Sequence, residues 1–302
     1  MIRDPDRIAR LFHAACLAEL DALKPGNVHR HGGSPRHGLT VEDFARSAAA
    51  AAPALARPAP GLGARILAAI RATRAVVETN TNLGIVLLCA PLAEAALGRR
   101  PGEPLREAVV RVLATATPVD TAHLYEAIRI AAPGGLGRRL RYDVTETPPV
   151  PPRTVMAEAE DFDRIARNWT RGLGDVFDLG LPTLHALACR GPAGDLLLTG
   201  LHLALLARIP DTLIRRRHGT RAAAAVRRCA ERLWPRFLRD PEGTRPALVA
   251  LDRALARRRW NPGTTADLVV ATLFARALVD DGAPRCQTSR PVQGRGQPAD
   301  TP

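Results

Sequence analysis

The sequence predicts an all-α protein, a single large helical domain whose functional residues sit in turns at helix ends. Three observations lead there. Nearly every apolar stretch repeats at three- and four-residue intervals rather than every second residue. No hairpin dipeptide joins two alternating segments, and β-branched pairs such as Val76-Val77 and Val109-Val110 lie inside helical patterns. Aromatic residues make up only 4% of a chain that is 46% hydrophobic, so the core must be built from Ala, Leu, Val and Ile, short side chains that suit close helix packing.

The first helix is predicted over 8–23, where the apolar period runs unbroken until Pro25-Gly26 stops it. The same periodicity predicts helices over 40–56, 62–77, 82–97, 104–114 and 120–131. Residues 142–152 carry Pro148, Pro149, Pro151 and Pro152 and form an extended stretch, a wall or a linker, between two helical halves. Beyond it the pattern predicts helices over 153–179, 184–188, 196–207, 211–214, 220–238, 245–258 and 264–279. The domain is expected to span 1–282. Residues 283–302 hold all three glutamines with Pro, Gly, Ser and Arg and few apolar side chains, which predicts a disordered tail.

A formal charge of +13 and a pI near 11 raise the question of a polyanionic partner. A basic nucleic-acid-binding protein is one reading, motivated by Arg138-Arg139-Leu140-Arg141, Arg215 to Arg217 and Arg257 to Arg259. Too few aromatics for stacking and no recognisable binding motif count against it. The five cysteines are scattered without paired spacing, as expected in a reducing cytoplasm. Charged residues occupy the place of a signal-peptide core, and the apolar runs at 84–93 and 196–206 are too short to span a bilayer. A cytoplasmic location without membrane insertion is the expectation.

Lys24 is the only lysine among forty-three basic residues, and it lies in the turn Lys24-Pro25-Gly26-Asn27 where the first helix stops. Arginine serves every other positive charge, so a compact, rotatable ammonium here suits a phosphate oxygen or a tight pocket, unless it is chance retention at an exposed helix end. Asparagine is also scarce. Four of five fall in three turns: Asn27 beside the lysine, Asn80 and Asn82 in Thr79-Asn80-Thr81-Asn82-Leu83-Gly84, and Asn261 in Trp260-Asn261-Pro262-Gly263. Helix capping explains them, and so does capping combined with ligand contact.

Other clusters add chemistry. His29, His31 and His37 in a glycine-rich basic loop invite a metal, yet the loop lacks ligand spacing for zinc and more naturally surrounds a phosphate chain. Thr81 or Asn82 can cap the helix at 82–97 and leave its amides aimed at an anion or a sugar hydroxyl. Asp211 precedes an arginine run that ends at Gly219, and Asp267 lies in the first turn of the last helix, where it complements the helix dipole. Glycines in Pro133-Gly134-Gly135-Leu136-Gly137 allow close approach of a ligand to the backbone. Together the turns suit a nucleotide polyphosphate with Mg²⁺.

In this order the clusters resemble the triphosphoribosyl-dephospho-CoA synthase family, over about 17–278. The resembling residues are Glu19 with Lys24-Pro25-Gly26, Asn80 through Gly84, Pro133 through Gly137 with Asp143-Val144, Asp211 through Gly219, and Asn261-Pro262-Gly263 through Asp267. The resemblance implies an all-α enzyme that moves the triphosphoribosyl group of ATP to the 2′-hydroxyl of dephospho-CoA and releases adenine. It implies catalytic roles for Glu19, Lys24, Asn80, Asn82 and Asp143, with Mg²⁺ on Asp143, Asp211 and Asp267. It also implies nucleotide or phosphate contacts from Lys24, Gly26, Asn27, Gly84, Gly134, Gly135, Asp211, Arg216, Gly219, Asn261 and Gly263. Typical members carry His-Lys at Asn82-Leu83 and His-x-Asp-Met at Arg36-His37-Gly38-Leu39, so an acid is missing at Gly38. The Asn-Thr-Asn-Leu-Gly form resembles a branch tied to pterin-type one-carbon cofactors, which makes a pterin-type precursor the alternative acceptor. Expected partners are ATP, dephospho-CoA or another cofactor precursor, and a second copy of the chain as a homodimer.

Overall fold

A computed structural model of the chain describes residues 3–32, 38–59, 61–139 and 141–279. Among them no strand forms, and thirteen α-helices and one π-helical turn carry the fold. The first six are α1 (Pro5–Asp21), α2 (Val41–Ala56), α3 (Leu62–Arg74), α4 (Leu83–Leu97), α5 (Leu105–Thr115) and α6 (Pro118–Ala131). After an irregular stretch come α7 (Pro152–Ala157), α8 (Arg164–Thr170), the π-turn Asp175–Gly180, α9 (Leu181–Ala188) and α10 (Gly194–Arg208). The chain continues through α11 (Thr212–Arg239), α12 (Pro241–Arg258) and α13 (Gly263–Val279). The predicted tail at 283–302 and the loop residues Arg36 and His37 lie outside the described residues.

Helix α4 is apolar on every side, so it must be surrounded. It packs against α13, α5 and α3, while α13 also meets α1 and α10. Phe12 and Phe274 meet edge to face at 5.7 Å and fix α1 on α13. The fully buried Trp169 donates its indole N–H to the Leu87 carbonyl at 3.0 Å, which pins α8 to α4. No single helix among the described residues is long and apolar enough to cross a membrane.

Capping sets where the helices begin. Thr40 with Asp43, and Thr117 with Asp120, form reciprocal capping boxes at the starts of α2 and α6. Asp120 also accepts the Gly63 amide at 2.8 Å, tying α3 to α6.

One expected element is corrected. The helix read through 153–179 is three pieces. Asp163 accepts the amides of Ile165 and Ala166 and so starts a new helix at Arg164. Gly172 and Leu173 then take left-handed backbone (φ 60° and 56°), which ends α8 before the π-turn. The gap expected between 214 and 220 is a break inside α11, where Gly219 leaves helical geometry at φ 85° and ψ 168°.

Candidate functional site

The turn after α1 is built from the inside. Ala22 donates to the Glu19 carbonyl, the Leu23 amide donates to Thr199 Oγ1 at 2.9 Å, and the Asn27 amide closes onto the Lys24 carbonyl at 3.0 Å. Gly26 sits at φ 83° with its amide on Asp252 at 2.8 Å, and a Cβ there would collide with the Trp260 carbonyl. Lys24 is fully buried. Its ammonium pairs with Glu19 Oε1 and reaches Asn27 Oδ1 at 3.3 Å. Asn27 in turn donates to Asn261 Oδ1 at 2.7 Å, joining this turn to the one before α13. Burial pushes the Glu19 carboxyl up and the Lys24 ammonium down, and their mutual attraction opposes both shifts.

The second turn does not cap as the sequence suggests. Asn82 holds the N-cap position of α4 but its side chain makes no capping hydrogen bond; Asn80 Oδ1 accepts the Leu83 amide instead, at 3.2 Å. Thr81 meets Ser47 at 2.6 Å, and Asn82 donates to Thr73 at 2.9 Å. At the next position, Gly84 lies so close to the Asp267 carboxylate that any Cβ would overlap it. Asp267 accepts no hydrogen bond from the described residues. Burial, reinforced by Asp211, Glu19 and Asp163, raises its carboxyl well above the usual range.

The third wall is the irregular stretch after α6, which ends with Ala132 in left-handed backbone. Gly134 abuts the Arg217 guanidinium and Gly135 the Arg216 stem, so this loop and the start of α11 interlock. Asp143 staples the loop: it accepts the Arg139 amide at 2.7 Å and the Thr145 amide and hydroxyl at 3.0 and 2.7 Å. Those hydrogen bonds, led by the Thr145 amide, hold its carboxyl down to about 2. Tyr125 donates to the Tyr142 carbonyl at 2.7 Å, and the Arg139 guanidinium lies 3.8 Å over the Phe162 ring.

These walls enclose one cleft of about 830 Å³. Glu19, Asn27, Asn80, Gly84, Asn261 and Asp267, from the ends of α1, α4 and α13, line what we term its floor; Gly134, Asp143, Arg216 and Gly263 line it too. The sequence placed all of these in the site. Lys24, Gly26, Asn82, Gly135, Asp211 and Gly219 do not line it. Lys24 lies behind Glu19, and Asp211 spends both oxygens on the Ile214 amide and on the Thr265 amide and hydroxyl, at 2.9–3.0 Å. Gly219 is exposed at the break in α11. Among the described residues no three His, Cys, Asp or Glu side chains gather as a metal-ligand set, so Asp143, Asp211 and Asp267 do not converge.

Sequence reasoning missed part of the rim. Arg138, Arg139 and Arg141, read as a reason to consider nucleic acid, open into this cleft together with Arg216 and Arg217. Their place directly after a glycine loop was the available signal. Asp163 was missed because the apolar period ran through it; it caps α8 and pairs with Arg216 Nη1 at 3.2 Å. Arg216 Nε is buried with no hydrogen-bond partner.

A crystal structure described as a "putative triphosphoribosyl-dephospho-coA synthase" from Archaeoglobus fulgidus shares the fold, with a TM-score of 0.59 and 24% identity over 76% of this chain and 95% of that one. No curated protein matches the sequence significantly. The family model described as ATP:dephospho-CoA triphosphoribosyl transferase matches residues 5–285, nearly the whole of the helical domain that forms the cleft. The chain therefore belongs to the ATP:dephospho-CoA triphosphoribosyl transferase (CitG) family.

Proposed function

We propose that the protein transfers the triphosphoribosyl group of ATP to the 2′-hydroxyl of the dephospho-CoA ribose and releases adenine. The observation that carries this reading is the lining of the cleft, which brings five arginines together with the carboxylates of Glu19 and Asp267 and the amides of Asn27, Asn80 and Asn261. A triphosphate needs several fixed positive charges, and Arg138, Arg139, Arg141, Arg216 and Arg217 supply them within one rim. The unpartnered Nε of Arg216 is a donor left for an anion, because its Nη1 is already held by Asp163.

Breaking the bond between ribose C1′ and adenine develops positive charge on the sugar. The carboxylates of Glu19 and Asp267 line the same cleft, where reduced solvation strengthens their field. Asn80, Asn27 and Asn261 present amides there and suit the sugar hydroxyls.

Magnesium fits this donor set. Asp267 offers hard oxygens that accept no hydrogen bond from the described residues, in surroundings made negative by Glu19 and Asp163. Mg²⁺ uses one or two carboxylates with substrate phosphates and water, so Asp267 would hold it from the protein side. When bound it supplies charge neutralisation along the triphosphate.

The test is chromatographic. Incubation with ATP, Mg²⁺ and dephospho-CoA is expected to give free adenine and, in equal amount, a product with the mass of triphosphoribosyl-dephospho-CoA. Release of ADP or phosphate with adenine still attached would replace this reading with phosphoryl transfer.

A further inference from the structure

Two carboxylates face the cleft floor, and they are held in opposite ways. Asp267 stands against Gly84 with no hydrogen-bond donor among the described residues. Glu19 is gripped from behind by the chain's single lysine, and that lysine has no access to the cleft. A phosphate ligand must reach its ligand. Lys24 cannot do so without leaving Glu19, Asn27 and a fully buried position.

We infer that Glu19 takes the proton of the attacking hydroxyl and that Lys24 is its positioning residue, not a contact to phosphate. The inference rests on the transferase reading above. Glu19 removes the hydroxyl proton as the acceptor oxygen bonds to C1′; the bond from C1′ to adenine breaks, and its electron pair leaves with the base. The departing base takes a proton at its freed ring nitrogen from water, and Glu19 returns the proton it received to water, so atoms and charge balance over the turnover. A buried carboxylate is a stronger base than a solvated one, and the ammonium keeps it ionised and aimed. A compact ammonium, buried and bonded to both Glu19 Oε1 and Asn27 Oδ1, suits lysine rather than the broad guanidinium fork, which gives the lone lysine of an arginine-rich chain a role.

The surroundings agree with this assignment. Cys16 lies one turn back on α1 and is kept as a thiol by burial, and Asp267 faces from α13. His202 of α10, near Lys24, is buried with its pKa depressed to about 3, so it stays neutral and leaves Lys24 as the cation beside Glu19.

Lys24→Met, Glu19→Gln, Glu19→Asp and the double variant Glu19→Gln/Lys24→Met separate the roles. ATP affinity is read by calorimetry and turnover by adenine release. Glu19→Gln is expected to lower kcat by about 10²–10⁴-fold and to abolish the acidic limb of the kcat–pH profile. Lys24→Met is expected to lower kcat at least tenfold while the Kd for ATP stays within about threefold. The double variant should turn over no more slowly than Glu19→Gln alone, because Lys24 acts through Glu19. If either single variant fails to fold, the double variant, which removes both buried charges, and Glu19→Asp, which keeps both, carry the comparison. Lys24→Met with an intact kcat and an ATP Kd raised more than tenfold would overturn the inference, as would a Glu19→Gln enzyme with an unchanged pH profile. Failure of the wild-type protein to release adenine would instead strike the transferase reading, before any variant is compared.

Discussion

The floor and the rim of the cleft use positive charge in contrasting ways. On the floor, one lysine is sealed inside the protein and spent on a carboxylate and an amide. On the rim, arginines 138, 139, 141, 216 and 217 project into the cleft from a glycine-rich loop and the first turns of α11. The floor is preorganised by contacts between distant segments: Gly26 with Asp252, Asn27 with Asn261, Asp211 with Thr265. On the rim, Asp143 staples its own loop, while Asp163 reaches from the start of α8 to Arg216 on α11. The lesson is a division of labour. On the proposed transferase reading, chemistry falls to the side that holds the buried Lys24–Glu19 pair and recognition to the side where arginines are plentiful.

If that division holds, the largest effect comes from the floor. Asp267→Asn should lower kcat by about 10²–10³-fold, read as adenine release. It should also stabilise the ligand-free protein. A buried carboxyl raised above its ordinary 3.8 holds a proton that the unfolded chain gives up, so native stability declines as pH rises from 3.8 toward the raised value and is level beyond it. The melting temperature of Asp267→Asn should therefore exceed that of the wild type by on the order of 2 °C at neutral pH, with the gap closing below pH 3.8. A gap that widens on acidification would refute the assignment.

The rim gives the next effect, and it should fall on binding. Arg216→Ala removes a charge-assisted donor worth about 1.5–3 kcal/mol, so the KM for ATP should rise about 10–100-fold with kcat nearly unchanged. A loss confined to kcat would erase the contrast between the two walls. The smallest effect is at the seam of the floor. Asn261→Ala removes the partner of Asn27, part-buried at 2.7 Å, and should cost about 1 kcal/mol in denaturant unfolding.

Much of this was legible in the chain. Apolar period gave every helix except the region 153–179, where Asp163, Gly172 and Gly174 were signals overridden by apolar spacing on either side. The turns that meet in the cleft could be picked out because scarce residue types collect in them: Lys24, Asn27, Asn80 and Asn261. What those residues touch was not legible. Scarcity marked Lys24 as special, but only the fold shows its ammonium turned inward to Glu19. Asp211 reads as a ligand until Thr265, far along the chain, is seen occupying it. The arginine run at 138–141 has no period of its own; its direction is set by Asp143 and the glycines before it.

The most direct measurement is a crystal structure of the protein with ATP, Mg²⁺ and an unreactive 2′-deoxy acceptor. The account predicts the triphosphate on Arg139, Arg216 and Arg217, with ribose C1′ facing Glu19 and Asp267. A triphosphate lying against the Glu19 wall, with the adenine ring among the arginines, would contradict it.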